Sequence, residues 1–217
     1  MSLKTQDLFD VSNKVVVVTG GSRGIGEMIT SGFLANNSKV YITARKEEAL
    51  VKKAEELSQK YSCECIPISG DISNSEGIDA LVNFLNDAEP EGIDFLINNA
   101  GAAWGANYDD FPESGWDKVM NINVKSVFFL TQRLAPLLRF SASQEQPSKV
   151  INIASIDGLR TPRLETYSYV ASKAGLIGMT GLKAKRLIDD NIIVNGIAPG
   201  AFSSNMNISA RDDPDRV

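Results

Sequence analysis

The sequence contains no histidine, only two cysteines and no long hydrophobic run. Without histidine, the Ser-His-Asp and Cys-His arrangements of hydrolytic enzymes are excluded, as is nearly every catalytic zinc site, and we predict no metal centre. Acid-base chemistry must therefore use Ser, Tyr, Lys, Asn or carboxylates. Cys63 and Cys65 are too close in sequence for an easy disulfide, so we interpret both as reduced strand residues.

Neither a membrane anchor nor a basic surface is indicated. Near the start, the longest apolar run is Val15–Val18, far short of the ~20 residues that a bilayer helix requires. Residues 1–10 carry two Asp, one Lys and no Arg, which indicates neither a secretory signal nor a transit peptide, and we expect a cytoplasmic protein. With 22 basic and 27 acidic residues, the net charge of −5 argues against nucleic-acid binding.

Short β-branched runs alternate with longer amphipathic stretches along the 217 residues. This alternation is typical of α/β proteins with a doubly wound parallel sheet, the Rossmann fold, and the length fits a single domain over residues 1–217. The predicted strands are Lys14–Thr19, Lys39–Thr43, Cys63–Ile68, Ile93–Asn98, Lys149–Ala154 and Ile192–Ile197. The predicted helices are Gly24–Asn36, Lys46–Lys60, Ser75–Ala88, Trp116–Phe140 and Glu165–Asp190.

The first predicted strand leads directly into a glycine-rich turn, Thr19–Gly26, and a helical pattern follows. In such a turn, Gly20 would permit the tight bend, Gly24 would let the backbone approach a pyrophosphate, and Gly26 would let helix and strand pack closely. The strand, turn and helix together predict a dinucleotide site. A purely structural glycine turn is the alternative.

The end of the second predicted strand indicates which dinucleotide is bound. NAD-selective sites place Asp or Glu there, whereas this sequence has Ala44-Arg45-Lys46. Together with Arg23 in the glycine turn, Arg45 supplies guanidinium groups that suit a 2′-phosphate, which favours NADP(H) over NAD(H). Arg45 as a solvated strand-end charge, or Glu47 reaching a ribose, are the alternatives.

A group of polar residues suggests acid-base chemistry. Tyr169 and Lys173 lie four residues apart on one face of a predicted helix, and a nearby ammonium would lower the tyrosine pKa from about 10 toward working pH. Ser155 follows the fifth strand, at the carboxyl edge where such sheets bind ligands. Asn123 places an amide on an apolar helix face. Each has a structural alternative: a surface pair, a cap serine or an amide that ties down backbone.

Together these features resemble the short-chain dehydrogenase/reductase family, from about Val11 to about Met206. The resemblance rests on motifs in family order: T-G-x-x-x-G-I-G at Thr19–Gly26, Asp71, N-N-A-G at Asn98–Gly101, Asn123, Ser155, Y-x-x-x-K at Tyr169–Lys173, and Pro199-Gly200.

The resemblance implies roles for these residues. Tyr169 would protonate the substrate carbonyl and Ser155 would hydrogen-bond its oxygen, while Lys173 would hold the nicotinamide ribose and lower the tyrosine pKa, and Asn123 would position a relay water. In the implied cofactor site, Asp71 and Ile72 border the adenine, Asn98 and Gly101 line the ribose side, and Pro199 to Ala201 face the nicotinamide. The full set of expected cofactor contacts is Gly20, Ser22, Arg23, Gly24, Ile25, Gly26, Arg45, Asp71, Ile72, Asn98, Ala100, Gly101, Tyr169, Lys173, Pro199 and Gly200.

Within the family, three stretches are similar to the 3-oxoacyl reductases associated with rhamnolipid synthesis: Trp104-Gly105, Ser114–Trp116 and Leu137–Ala142. This similarity implies NADPH-dependent reduction of a β-keto thioester or a similar ketone to a secondary alcohol. Pairing of family members through their two long helices implies a homodimer or homotetramer. An NAD(P)-binding regulatory or interaction protein without turnover, and a sugar or polyol dehydrogenase, remain as alternatives.

The sequence departs from the family pattern after Pro199-Gly200. Family members continue through a mobile substrate loop, another helix and a last strand, whereas this sequence ends at Val217. We therefore expect the sheet to lack its seventh strand, which would leave an edge exposed and one wall of the substrate pocket open.

Overall fold

The computed structural model describes residues 4, 9–200 and 202. Six strands are present in this part of the chain: β1 Val15–Thr19, β2 Lys39–Ala44, β3 Cys65–Ser69, β4 Phe95–Asn98, β5 Ser148–Ile153 and β6 Ile192–Ile197. They form one parallel sheet in the order β3-β2-β1-β4-β5-β6. The chain order reverses between β1 and β4, which confirms the predicted doubly wound fold and places a ligand crevice at their carboxyl ends.

Helices cover both faces of the sheet. They are α1 Gly24–Ala35, α2 Glu47–Tyr61, α3 Ser75–Ala88, α4 Glu113–Met120, α5 Ser126–Ser141 and α6 Tyr167–Leu187. Among the described residues, no helix is both long enough and apolar enough to cross a bilayer.

The central strand β1 is apolar along its length because both of its faces are buried. Val16 and Val18 pack on the side of Leu34 and Leu50, and Val17 packs on the opposite side. Complete burial of each of these side chains contributes roughly 1.5–3 kcal/mol to folding. The core therefore holds the carboxyl ends of the strands, where the motif residues lie, on a rigid frame.

The long predicted helix Trp116–Phe140 is in fact three pieces. Helix α4 begins at Glu113, a π-helical turn follows at Asn121–Lys125, and α5 continues from Ser126. A π turn adds one residue to the helical repeat and leaves the apolar pattern on either side intact, so the periodicity alone does not reveal it.

Of the other predicted elements, the helix Ser75–Ala88 and the strand Ile192–Ile197 have the observed bounds, and the rest differ from the observed ones at one or both ends. The third strand begins at Cys65 rather than Cys63, because Ser62 adopts a left-handed conformation with φ 51° that completes the turn after α2. Helix α6 ends at Leu187, where a 3₁₀ turn and the left-handed Asn191 follow. Within the described residues, β6 pairs with β5 alone and Ile197 is 50% exposed. The expected lack of a seventh strand stays a prediction beyond residue 202.

Candidate active site

The glycine turn after β1 fits a pyrophosphate. Gly20 and Gly24 have positive φ values of 66° and 56°, which glycine adopts without strain. A Cβ built on Gly26 would collide with the carbonyl oxygen of Gly20, so only glycine fits at this position in the first turn of α1. The side chain of Arg23, the residue before α1, makes no capping hydrogen bond to the first turn. The backbone N–H groups there are therefore available to an anion.

Asn99 holds this turn, a role that the sequence analysis did not assign. Its side-chain nitrogen donates to the carbonyl oxygens of Thr19 at 2.9 Å and Gly20 at 3.2 Å. The Thr19 hydroxyl in turn accepts the backbone N–H groups of Asn99 and Ala100, both at 3.0 Å. The two halves of the sheet are thus joined at the crevice. The second asparagine of the N-N-A-G motif was the feature of the sequence from which this role could have been predicted.

The residues predicted for the adenosine end lie together. Arg45 is exposed at the end of β2, while Asp71 is half-buried and Ile72 is buried. Burial acts to raise the pKa of Asp71, but hydrogen bonds from Ser73 and the charge of Arg45 outweigh it, so the pKa lies below its ordinary value. Asp71 is therefore an ionised acceptor. Ser22 is half-buried and Arg23 exposed in the glycine turn, and Ile25 is half-buried in the first turn of α1.

Asn98 does not direct its amide nitrogen into the crevice. This nitrogen donates to Asn152 Oδ1 at 2.9 Å and to Thr131 Oγ1 at 3.3 Å, between the sheet and α5. The predicted cofactor contact of Asn98 therefore does not come from its amide nitrogen. Gly101, in contrast, lies at the site: a Cβ there would be 3.1 Å from Asn123 Oδ1 and 3.8 Å from Lys173 Nζ.

Asn123 lies in the π turn and ties the site together. Its Oδ1 accepts the backbone N–H of Ala102, and its Nδ2 donates to the Ala102 carbonyl and to Ser172 Oγ, each at 2.9 Å. Both hydrogens of the amide nitrogen are thus used, so a relay water would not be held by that nitrogen. The side chain instead fixes α6 against the segment that follows β4. A π turn at such a position is common at functional sites.

Tyr169 and Lys173 lie next to each other at the start of α6, as predicted. Lys173 Nζ lies 5.6 Å from the centre of the Tyr169 ring and donates to the Ile153 carbonyl at 2.7 Å. The lysine is 5% exposed, and its burial lowers its pKa to about 8. At pH 7 it is therefore mostly an ammonium in a nearly dry environment.

The pKa of Tyr169 moves in the direction opposite to the one predicted. Burial raises it above its ordinary value, while a hydrogen bond from Ser155 opposes the rise and the negative charge of Asp157 adds to it. The sequence shows the lysine four residues away but not the burial of the phenol, which dominates. Because its pKa is raised, the phenol stays protonated at neutral pH, the state that a proton donor requires.

Ser155 is placed to donate toward the phenol. Its Oγ accepts the backbone N–H of Asp157 at 3.2 Å, which orients the hydroxyl. The carbonyl of Pro199 accepts the N–H of Ile156 at 3.0 Å, so the segment after β6 lies beside Ser155. Pro199 is half-buried and Gly200 exposed, whereas Ala201 lies outside the described residues.

Three aromatic side chains pack together on the segments before Asn123 and Tyr169, and the sequence analysis did not identify them as a group. Tyr167 stacks edge-on with Tyr108 and Phe111, with ring centres 5.6 Å and 5.7 Å apart. The backbone N–H of Ala106 donates to the Glu165 carbonyl at 3.3 Å. This aromatic wall, formed by Tyr108, Phe111 and Tyr167, thus joins the segments that lead to Asn123 and Tyr169.

The chain matches known proteins over nearly its full length. The family model described as short chain dehydrogenase matches residues 14–215. A 3-oxoacyl-acyl-carrier-protein reductase of rhamnolipid biosynthesis from Pseudomonas aeruginosa is 44% identical over 206 residues, which are 95% of this chain and 79% of the relative. A 2-dehydro-3-deoxy-D-gluconate 5-dehydrogenase from Escherichia coli is 35% identical, over 96% of this chain and 79% of the relative.

A solved structure is similar in fold as well as in sequence. The Pseudomonas aeruginosa RhlG/NADP active-site complex superposes with a TM-score of 0.90 and 43% sequence identity, over 96% of this chain and 80% of that one.

Proposed function

Because the chain belongs to the short-chain dehydrogenase family, we propose that it is an NADPH-dependent reductase that converts the ketone of a 3-oxoacyl thioester into a secondary alcohol. One observation carries the proposal. A protonated phenol and a buried ammonium lie together at the carboxyl edge of the sheet, next to Ser155 and within reach of a glycine turn that fits a pyrophosphate.

The bound NADPH would supply a hydride to the carbonyl carbon. Tyr169 donates its phenolic proton to the carbonyl oxygen, which balances the hydride and yields the alcohol. Ser155 hydrogen-bonds that oxygen as negative charge develops on it. The ammonium of Lys173 stabilises the phenolate that remains, and its burial strengthens this interaction.

The choice of NADPH over NADH rests on Arg23 and Arg45. Both side chains are exposed, and the charge of Arg45 acts on Asp71. A guanidinium pairs bidentately with a phosphate but gains little from a ribose hydroxyl. The Pseudomonas structure to which this chain is similar holds NADP, which supports the same choice.

The choice of an acyl substrate rests on a relative and on the aromatic wall. The Pseudomonas relative is named for a 3-oxoacyl substrate, and Tyr108, Phe111 and Tyr167 form an apolar cluster whose last member is two residues before Tyr169 in the chain. A sugar-acid dehydrogenase is the second candidate, favoured by the Escherichia coli relative at 35% identity. A polyol gains less than an alkyl chain from aromatic surface.

The test is NADPH consumption with acetoacetyl-CoA, followed by absorbance, with NADH in parallel. We expect turnover that prefers NADPH, lost by about 10³-fold in Tyr169→Phe with NADPH affinity retained. Tyr167→Phe is the matched control, because its hydroxyl bonds the exposed Glu165 and we expect its rate to be unchanged. NADPH binding without reduction of any ketone would indicate the regulatory alternative, and faster oxidation of a polyol with NAD⁺ would indicate the sugar dehydrogenase.

We extend the proposal to assembly and location. The whole chain would form one domain that pairs through α5 and α6 into a homodimer or homotetramer, supported by the exposed Phe128 and Leu182 at 39% and 70%. A cytoplasmic location is supported by two free thiols, Cys63 and Cys65. Light scattering of the protein and of Leu182→Asp tests the assembly: a wild-type monomer would contradict it.

A further inference from the structure

A set of buried polar groups lies beneath the candidate site and has no part in the proposed chemistry. Its six members belong to four elements, and we name it the polar circuit: Asn98 on β4, Val127 and Thr131 on α5, Asn152 on β5, and Thr180 and Lys183 on α6. The side chains are 0–9% exposed. The circuit begins and ends on α6.

Each hydrogen bond in the circuit has a defined direction. Lys183 Nζ donates to the Val127 carbonyl at 2.8 Å, and the Thr131 hydroxyl donates to the same oxygen at 2.6 Å. Asn98 Nδ2 donates to the Thr131 hydroxyl at 3.3 Å and to Asn152 Oδ1 at 2.9 Å.

The circuit then returns to α6. Asn152 Nδ2 donates to the Thr180 hydroxyl at 2.9 Å, and that hydroxyl donates to the Leu176 carbonyl at 2.7 Å. Turning over the Asn152 amide would set its nitrogen against that of Asn98, so only one orientation satisfies the circuit. Hydrogen bonds of this kind fix spacing more narrowly than apolar contacts, along which helices can slide.

The circuit is directly connected to the site through β5 and α6. Asn152 precedes Ile153, whose carbonyl accepts the Lys173 ammonium at 2.7 Å. Thr180 is seven residues beyond Lys173, hence on the same helix face and roughly 10 Å along the axis. Helix α6 is thus fastened to β5 at two points. Because Ser155 lies just after β5 and Tyr169 lies in the first turn of α6, these two hydrogen bonds set the spacing between the two hydroxyls.

We propose that Thr180, through its hydrogen bond with Asn152, is a positioning residue for proton transfer from Tyr169. This inference rests on the proposed function. Without the Thr180 hydroxyl, the buried Asn152 amide loses its partner on α6, and the helix moves relative to the end of β5. The Ser155–Tyr169 hydrogen bond lengthens as a result. The part of NADPH binding that uses the glycine turn after β1 does not change, so NADPH affinity falls less than kcat does.

The test compares Thr180→Val with Thr180→Ser and with a control, Ser148→Ala. Ser148 is buried at the opposite end of β5, where its hydroxyl donates to the Leu138 carbonyl on α5 at 2.9 Å. The rates of all three variants and of the parent chain are compared per amount of folded protein. The measurements are kcat and KM with acetoacetyl-CoA, NADPH affinity and melting temperature.

We expect Thr180→Val to lower kcat roughly 10- to 100-fold, the range for a small misplacement of reacting groups, with a much smaller change in NADPH affinity. Thr180→Ser should recover kcat to within about threefold, because the hydroxyl is restored. Ser148→Ala should lose stability but keep its kcat. Should Thr180→Val not fold, Thr180→Ala leaves room for a water on Asn152 and is compared in the same way.

A second readout does not depend on turnover. The ultraviolet absorbance of the Tyr169 phenolate, obtained by subtracting the same titration in Tyr169→Phe, should show a higher pKa in Thr180→Val, because the Ser155 hydrogen bond that lowers the pKa is weakened. Equal kcat and equal titration in Thr180→Val and the parent would overturn the inference, as would an equal loss of kcat in Ser148→Ala. A parent chain with no ketone reduction would instead overturn the proposed function, and the titration would still decide the role of Thr180.

Discussion

In the half of the sheet formed by β1, β2 and β3, the buried polar side chains are all short hydroxyls: Thr19, Thr30, Ser38 and Thr43. The half formed by β4, β5 and β6 also buries three asparagines and two lysines: Asn98, Asn123, Asn152, Lys173 and Lys183. The first half presents backbone N–H groups at a turn that is rich in glycine. The second presents side chains that are held by other side chains. The same fold therefore builds a pyrophosphate site mainly from backbone and an acid-base site from a buried polar network.

This contrast predicts different sensitivities. In the half formed by β1, β2 and β3, which we call the cofactor half, substitutions that add atoms should weaken NADPH binding, because the glycine turn has no space for them. In the half formed by β4, β5 and β6, which we call the catalytic half, substitutions that remove polar atoms should lower activity or stability, because a buried donor or acceptor then loses its partner. The following predictions test the two halves against each other.

The largest effect is expected for Lys173→Met in the catalytic half. Loss of the ammonium leaves the Tyr169 phenolate without its nearest positive charge, so kcat should fall by about 10³-fold in steady-state assays. Lys149→Met is the control, since Lys149 is a partly buried lysine that lies on β5 and donates to the Pro147 carbonyl, at the end of the strand away from the site. Equal losses in the two variants would show that the position of Lys173 beside Tyr169 is not what matters.

The two buried lysines should also make stability depend on pH. Burial lowers the pKa of both Lys173 and Lys183 from 10.5 to about 8. Between about pH 8 and 10.5 the unfolded chain binds more protons than the folded one, so stability rises with pH, by up to about 3 kcal/mol for each lysine.

Urea unfolding across this pH window measures that dependence. Lys183→Met should remove about half of the slope contributed by the pair. A slope that is the same in Lys183→Met and in the parent would show that Lys183 has an ordinary pKa in the folded protein.

In the cofactor half, Gly26→Ala should weaken NADPH binding by roughly 100-fold, or about 3 kcal/mol, because its Cβ would collide with the Gly20 carbonyl. Titration of nucleotide fluorescence measures the affinity. Gly32→Ala, on the same helix but with no atom within 4 Å of the added Cβ, is the matched control. It should gain up to about 1 kcal/mol of stability and bind NADPH normally. Weaker binding in Gly32→Ala would assign the effect to α1 as a whole.

A smaller effect is expected from the two arginines. Arg23→Ala and Arg45→Ala should each weaken NADPH binding about 10-fold or more while leaving NADH binding unchanged, because only NADPH carries the 2′-phosphate. Calorimetric titration with both nucleotides gives the ratio of the affinities for NADPH and NADH in each variant. Parallel loss of both affinities would contradict a role in selecting the phosphate.

The smallest effect is expected at Ser168 in the catalytic half, where removing a polar atom should raise stability instead of lowering it. Ser168 is fully buried, and its hydroxyl oxygen has no hydrogen-bond partner among the described residues. Ser168→Ala removes an unpaired polar atom and should raise the free energy of unfolding by about 1 kcal/mol. Thermal melting measures the change. A destabilised Ser168→Ala would indicate a hidden partner for that hydroxyl.

Much of the architecture follows from local pattern. Strands buried on both faces need continuous β-branched runs, and the runs at Val15–Thr19 and Ile192–Ile197 predict β1 and β6 closely. The glycine turn and the Tyr169–Lys173 pair were also predictable, because both depend on spacing along one element. The residues of each feature are only a few positions apart in the sequence, so the sequence alone predicts that they lie together.

The features that escaped prediction depend on what packs around a residue. The direction of the Asn98 amide is set by partners on α5 and β5, far away in sequence. The raised pKa of Tyr169 comes first from burial, which no spacing reveals. The aromatic wall unites two segments that are about 55 residues apart in the printed sequence.

The π turn at Asn121–Lys125 gives the chain a sensitivity that substitutions do not test. A regular helix advances by about 100° per residue, and the wider π turn takes up one extra residue, so that α4 and α5 keep the same apolar side toward the sheet. Removing one residue here would close the wide turn into a regular helix and shift Asn123 relative to Ala102 and Ser172. A one-residue deletion that leaves every functional side chain present would therefore break the contact by which Asn123 joins α6 to the segment after β4. The length of this segment is therefore as strictly specified as the identity of its residues.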